Sequence, residues 1–172
     1  KSSELYRENI KTKIIAITGS CGKTTLKELL GNSLKQISTV GISPKSYNNK
    51  YGVPLSLFNL DQKNNYGVLE IGMDKKGEID YLSKIVKPDV SVITNINYAH
   101  AKNFKNIKQI ALAKSEIINN TKINGFIVLN SDDNFFTLHK NIANKRNLKI
   151  LSFGIDNQNA NIKLVSIKKI SN

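Results

Sequence analysis

The sequence predicts an α/β fold built as a mostly parallel sheet with helices on both faces. Three observations predict it. The β-branched apolar run Lys13-Ile14-Ile15-Ala16-Ile17-Thr18 ends at a glycine, a glycine-rich loop joins it to an amphipathic segment, and strand-like and helix-like segments alternate along the remaining chain. At 172 residues with an apolar fraction of 40%, the chain fits one domain with a substantial core.

The elements follow in order. The run from Lys13 to Thr18 reads as a buried strand. Thr24 to Lys35 reads as a helix with Leu26, Leu29, Leu30 and Leu34 packed inward and Lys27, Glu28 and Lys35 facing water. Tyr66 to Ile71 is a second strand, Glu78 to Val86 a helix stopped before Pro88, and Val90 to Thr94 a third strand. Asn106 to Asn119 is a helix whose Ile107, Ile110, Ala111, Lys114 and Ile118 share a face or its margin. A strand at Phe126 to Asn130, a helix at Asp133 to Lys145 and a strand at Leu148 to Phe153 complete the alternation, with a turn at Gly154 to Asn157. The alternating tail, Asn161 to Ile170, reads as an edge strand.

Strand, glycine loop and helix are the context a phosphate-binding P-loop requires. Gly19 and Gly22 let the backbone amides of Gly19-Ser20-Cys21-Gly22-Lys23-Thr24-Thr25 curl around phosphate oxygens, and the helix that follows points its positive end at the same anion. Lys23 is placed to reach the outer phosphates of ATP, and the Thr24 hydroxyl to ligate magnesium. The general pattern has a glycine where this chain has Ile17.

Further polar residues fall at strand ends or on the helices that follow, where open parallel sheets bind ligands. Glu70 sits in an apolar strand and needs a compensating partner, either magnesium or a lysine. Asn95 and His100 follow the strand ending at Thr94; the histidine suits a metal, a phosphate or simply polar surface. Lys114, on the apolar side of its helix, is either a snorkelling stem or a modified amine. Asn130-Ser131-Asp132-Asp133 reads as a helix cap or a nucleotide contact.

Composition removes several classes. The formal charge of +13 fits nucleic acid, an acidic membrane surface or a polyphosphate substrate, but the lysines are scattered among asparagines and isoleucines with no basic block interleaved with aromatics. A solvated lysine-rich surface and no nucleic-acid partner are expected. No apolar run approaches the roughly 20 residues that cross a bilayer, and Lys1-Ser2-Ser3-Glu4 does not begin a signal peptide, so a cytoplasmic monomer without a membrane role is expected. The single cysteine, Cys21, excludes an internal disulfide and reads as a small spacer within the loop.

Together the segments resemble the central ATP-binding domain of the Mur ligases, the amide-forming enzymes of peptidoglycan synthesis and a P-loop NTPase-like fold. Ala16 to Thr25 matches that family's P-loop, which also lacks the glycine replaced here by Ile17. Tyr47-Asn48-Asn49-Lys50-Tyr51-Gly52-Val53-Pro54-Leu55, Thr94 to His100, Ala113-Lys114-Ser115-Glu116-Ile117 and Leu129 to Asp133 resemble four more of its signatures. Leu69 to Ile79 is similar to the members that add D-alanyl-D-alanine to a UDP-linked muramoyl tripeptide. Two departures stand out: Lys75 occupies a position where those members often carry histidine, and Ala101-Lys102-Asn103-Phe104 lacks the usual acidic residue.

The resemblance implies roles. Lys23 holds the β- and γ-phosphates of ATP within the loop of Gly19, Ser20, Cys21, Gly22, Thr24 and Thr25; Thr24 and Glu70 bind one magnesium; His100 serves a second; and Lys114 is carbamylated, turning a buried amine into an anion that binds or orients metal chemistry. Asn48 and Asn49 border the substrate channel, Asn95 lies beside the nucleotide, and Asn130 is on the adenine side. The implied reaction passes through an acyl phosphate to join UDP-MurNAc-tripeptide to D-alanyl-D-alanine. The resemblance also implies N-terminal UDP-binding and C-terminal domains for which residues 1–172 leave no room, so this chain alone is expected to bind nucleotide and turn over poorly. Another Mur-type step, folylpolyglutamate synthase and a non-catalytic nucleotide-binding module are the alternatives.

Overall fold

Seven strands form one sheet in which every neighbouring pair is parallel, ordered β2-β3-β1-β4-β5-β6-β7. The strands are β1 (Lys13–Thr18), β2 (Val40–Ile42), β3 (Tyr66–Glu70), β4 (Val90–Ile93), β5 (Phe126–Asn130), β6 (Lys149–Gly154) and β7 (Ile162–Lys163). The helices are α1 (Ser2–Asn9), α2 (Lys23–Lys35), α3 (Gly52–Phe58), α4 (Glu78–Val86), α5 (Ile107–Asn120) and α6 (Phe136–Lys145). This computed structural model describes residues 2–98 and 101–166.

Alternation along β1 divides the interior in two. Ile14 and Ala16 face the larger core with Ile79 and Leu82 of α4 and Ile110 and Ile117 of α5. Ile17 faces the other side, where Val68 and Val92 meet Leu26, Leu30 and Leu34 of α2. The helices therefore cover both faces unequally. Among the described residues, no helix is long and apolar enough to cross a membrane.

The structure revises several expectations. In α2, Leu29 is 63% exposed, whereas Lys27 is 0% exposed. The inward stripe passes through Lys27 and Gly31, and a Cβ at Gly31 would lie 2.3 Å from Ile42 Cδ1, so β2 packs where only a very small residue fits. Helix α6 begins at Phe136 rather than Asp133, because Asp133 spends its carboxylate on the amides of Phe135 at 2.8 Å and Ile96 at 2.7 Å. The tail pairs only at Ile162–Lys163, and residues 167–170 of the expected edge strand lie outside the described residues. α1, β2 and α3 had no counterpart in the sequence reading.

Parallel strands put their carboxyl ends on one edge, which gathers the segments that matter. Gly19 after β1, Glu70 ending β3, Thr94 after β4 and Asn130 ending β5 all lie at that edge. The order reverses around β1, whose neighbours are β3 and β4, and a ligand crevice is expected at such a reversal.

Candidate functional site

The glycine loop is shaped by close approach on one side and by open space on the other. Gly19 has φ +147°, and a Cβ there would lie 1.9 Å from Thr94 Oγ1. Gly22, the residue before α2, has φ +78° and nothing within 4 Å of where a Cβ would sit. A left-handed residue with a free face at a helix start leaves amides pointing into a concavity, the geometry of an anion site.

The loop after β4 fastens this cradle. Asn95 Oδ1 accepts from the Cys21 amide at 3.1 Å while its Nδ2 donates to the Cys21 carbonyl at 3.2 Å. Thr94 Oγ1 donates to the same carbonyl at 2.7 Å. Ser20 Oγ donates to the Asn97 carbonyl at 2.9 Å and accepts from its amide at 2.8 Å. Asn95 is thus committed to holding Cys21 in place. Cys21 itself is exposed and free, and Thr25 lies within the first turn of α2.

Two lysines converge on one oxygen. Lys23 Nζ folds back to donate to the Gly19 carbonyl at 3.0 Å and to that of Ser20 at 3.4 Å. Lys114 Nζ, arriving from α5, donates to the same Gly19 carbonyl at 2.9 Å. Lys114 is 3% exposed, and burial first, then the positive charge of Lys23, push its amine down to about 7. Much of it is therefore an uncharged nucleophile near neutrality. The hydroxyl of Thr18, buried next to Gly19 in the chain, has no hydrogen-bond partner among the described residues.

Glu70 is 2% exposed at the end of β3. Its Oε2 accepts from Thr24 Oγ1 at 2.7 Å and its Oε1 from Asn48 Nδ2 at 2.7 Å. Both donors are neutral, and among the described residues no basic side chain forms an ion pair with it. A buried carboxylate beside a threonine hydroxyl, without a cation of its own, fits magnesium, which takes one or two carboxylates and completes its shell with phosphate and water. No cluster of three or more His, Cys, Asp or Glu exists among the described residues, so an all-protein metal cage is not what this donor set builds. His100 lies outside the described residues.

A cavity of about 840 Å³ opens beside these groups, with Lys23 and Lys114 in its wall together with Asn48, Asn49 and the segment from Gly72 to Glu78. Asn49 Oδ1 also caps α3, accepting from the amides of Tyr51 and Gly52 at 3.0 Å each. Asn130 lines a separate cavity of about 410 Å³ with Phe153 and Ile162, and its Oδ1 accepts from the Asp132 amide at 3.0 Å. The loops that hold Asn130 and Asn95 are joined through the bond from the Ile96 amide to Asp133.

Sequence reasoning missed two buried or half-buried charged residues near the site. Glu116 accepts from the Gly77 amide at 2.9 and 3.1 Å and from the Asp80 amide at 3.1 Å, which ties α5 to the start of α4; burial raises its carboxyl above the usual range. Its place two residues after Lys114 was the available signal. Lys27 is the other: it is fully buried, and its amine donates to the carbonyls of Ser43 and Lys45.

Residues 17–172 match the model of the Mur ligase middle domain. The chain is 39% identical over 163 residues to the UDP-N-acetylmuramoyl-tripeptide--D-alanyl-D-alanine ligase of Buchnera aphidicola from Acyrthosiphon pisum, covering 95% of this chain and 33% of that protein. It superimposes on a crystal structure of MurF from Acinetobacter baumannii with a TM-score of 0.88 at 36% identity, covering 96% of this chain and 35% of that one. A MurF ligase from Thermotoga maritima in complex with ADP gives a TM-score of 0.81 at 35% identity, over 90% of this chain and 35% of the other. The chain thus spans about a third of the length of the curated relatives it matches, at 33% and 36% of them.

Proposed function

The chain belongs to the Mur ligase family, whose middle domain it matches, and on that premise we propose that it supplies the ATP and magnesium site of a D-alanyl-D-alanine-adding ligase. Its substrates in this reading are ATP, UDP-N-acetylmuramoyl-tripeptide and D-alanyl-D-alanine. The observation that carries the reading is Lys114: a buried amine, brought down to about 7, in hydrogen-bond contact with the phosphate loop itself.

The backbone amides after Gly19 and the start of α2 bind the phosphates, and Lys23 swings from the Gly19 carbonyl to the outer phosphates. Thr24 and Glu70 hold one magnesium, which neutralises phosphate charge when bound. A carboxylate oxygen of the tripeptide then attacks the γ-phosphorus, ADP leaves, and an acyl phosphate results. The amine of D-alanyl-D-alanine attacks the acyl carbon, inorganic phosphate departs, and the amine loses a proton. Lys23, once on the outer phosphates, stabilises the charge that grows on the transferring group.

In its uncharged form the Lys114 amine adds to carbon dioxide and releases one proton, giving a carbamate whose oxygens, with His100, serve a second magnesium. In this reading Asn48 and Asn49, in the wall of the larger cavity, face the peptide, and Asn130, in the smaller one, contacts the adenine side. A nucleotide-binding switch has no use for a buried nucleophilic amine, so Lys114 separates the two readings.

The protein carrying this domain is expected to release ADP only when both the UDP-linked tripeptide and D-alanyl-D-alanine are supplied with ATP and magnesium. ADP release that ignores either acceptor would refute the ligase reading. Mass spectrometry after incubation with labelled bicarbonate reports the carbamate, and Lys114→Ala is expected to lose the label.

A further inference from the structure

Lys27 is the largest fully buried side chain with a charge, and none of the steps above uses it. It lies on α2 one turn beyond Lys23, pointing away from the phosphate loop toward the segment after β2. Its Nζ donates to the Ser43 carbonyl at 2.7 Å and to the Lys45 carbonyl, and faces Glu28 Oε1 at 3.1 Å. Two of the ammonium's three N–H donors are thus spent on loop carbonyls, and Glu28 balances its charge. Lys45 has φ +45°, a left-handed backbone that a lysine adopts only where its surroundings hold it.

The segment so held leads directly to Asn48. Ser43 Oγ accepts from the Glu70 amide at 3.3 Å, and the Asn48 carbonyl accepts from the Gly72 amide at 2.7 Å. A Cβ at Gly72 would lie 2.9 Å from Asn48 Cγ, so the asparagine is seated tightly against the end of β3. Its Nδ2 then reaches Glu70 Oε1, leaving Oε2 for Thr24. Helix α2 therefore contributes Thr24 to one oxygen of Glu70 directly and governs the donor to the other through Lys27.

We propose that Lys27 is a positioning residue that registers the Asn48 loop against the nucleotide-binding helix, so that the peptide side of the cavity is set by the same helix that holds the phosphates. A compact cation with a four-carbon stem suits this: it satisfies two carbonyls two residues apart in one loop, which an apolar residue leaves unpaired. The proposal deepens the ligase reading and rests on it for its kinetic arm only.

The test pairs Lys27→Met with Asn48→Ala and their double variant. Amide hydrogen exchange on the chain needs no substrate: residues 43–49 are expected to exchange faster in K27M while the amides of α2 and β1 keep their protection. Unchanged exchange at 43–49, or a loss of protection spread over the whole domain, would overturn the proposal. In the protein carrying this domain, K27M is expected to raise KM for the UDP-linked tripeptide, with kcat/KM falling up to roughly 100-fold, and to leave KM for ATP near the wild-type value. The double variant is expected to lose no more than N48A alone, since one residue acts through the other. Additive losses, or equal rises in both KM values, count against it. Should K27M fail to fold, K27Q keeps an uncharged NH2 group for the two carbonyls and is read by the same measurements. A wild-type protein that forms no amide refutes the ligase reading alone, and the exchange arm then decides the role of Lys27.

Discussion

Replacing Lys114 with methionine is expected to remove a pH dependence from the stability of the fold. Lys114 is 3% exposed, and its amine is lowered from 10.5 to about 7 by burial and then by Lys23. In the unfolded chain a lysine keeps its proton to about pH 10.4. Across that window the unfolded chain binds about one proton more than the fold, and stability rises with pH wherever the unfolded state binds more protons. The fold is thus least favoured below about pH 7 and recovers as pH climbs, with a slope approaching about 1.4 kcal/mol per unit. From about pH 7.5 to about pH 9 the gain amounts to about 2 kcal/mol. Urea unfolding of both proteins across this range in buffer free of carbon dioxide isolates the effect, because every other titrating group is common to the pair. The substitution strands no acceptor, since the Gly19 carbonyl keeps Lys23 at 3.0 Å. Wild type should steepen with pH while K114M stays flat by comparison and exceeds it near neutrality. Added bicarbonate should stabilise wild type alone, as any ligand of the folded state does. Parallel curves for the two proteins would refute the reasoning.

Three more substitutions probe the cradle and its support. Gly19→Ala places a methyl 1.9 Å from Thr94 Oγ1, so a loss of about 3 kcal/mol or more, with collapse of ADP affinity by calorimetry, is expected; wild-type affinity would show that the loop yields. Glu70→Gln keeps an acceptor oxygen for Asn48 Nδ2, turns the other oxygen into an NH2 that can donate to Thr24 Oγ1, and deletes a buried charge. It should weaken magnesium-dependent ADP binding by roughly tenfold or more while leaving the metal-free protein at least as stable, and a destabilised but fully magnesium-responsive variant would contradict the metal assignment. Arg7→Met removes donors to the carbonyls of Val86, Ile10 and Lys87 and to Asp89 Oδ2, and should cost about 3 kcal/mol in urea unfolding; a loss under about 1 kcal/mol would mean that α1 contributes little to holding the end of α4.

What was legible in the chain was whatever announces itself locally. Gly19, Gly22, Lys23 and Thr24 combine backbone freedom with phosphate chemistry in a spacing few other uses require, and β1 and α2 flank them with clear periodicities. Short or broken elements stayed hidden. β2 is three residues long, and α3 opens with Gly52 and Pro54, which read as breakers although a first helical turn has no use for the missing amide. Lys27 was misjudged because a lysine on a helix is normally solvated; its partners come from a loop sixteen and eighteen residues away, and no periodicity encodes them. Glu70 was legible as an anomaly, but its division between Thr24 and Asn48 required the fold. Asn95 follows β4 in the sequence, but that its side chain brackets the backbone of Cys21 required the fold.

The placement of β1 in mid-sheet also sets an order of assembly. Its partners enter at Lys13↔Tyr66 and Ile15↔Val90, so the strand that carries the loop is made early and paired late. The loop's own fastenings, Thr94, Asn95 and Asn97, come later still. A nascent chain that has emerged only through α3 presents an apolar central strand with neither neighbour, a species that invites chaperone capture. Such distant pairings also slow folding. The phosphate loop is thus fastened only once residues more than seventy positions further along the chain have folded onto it.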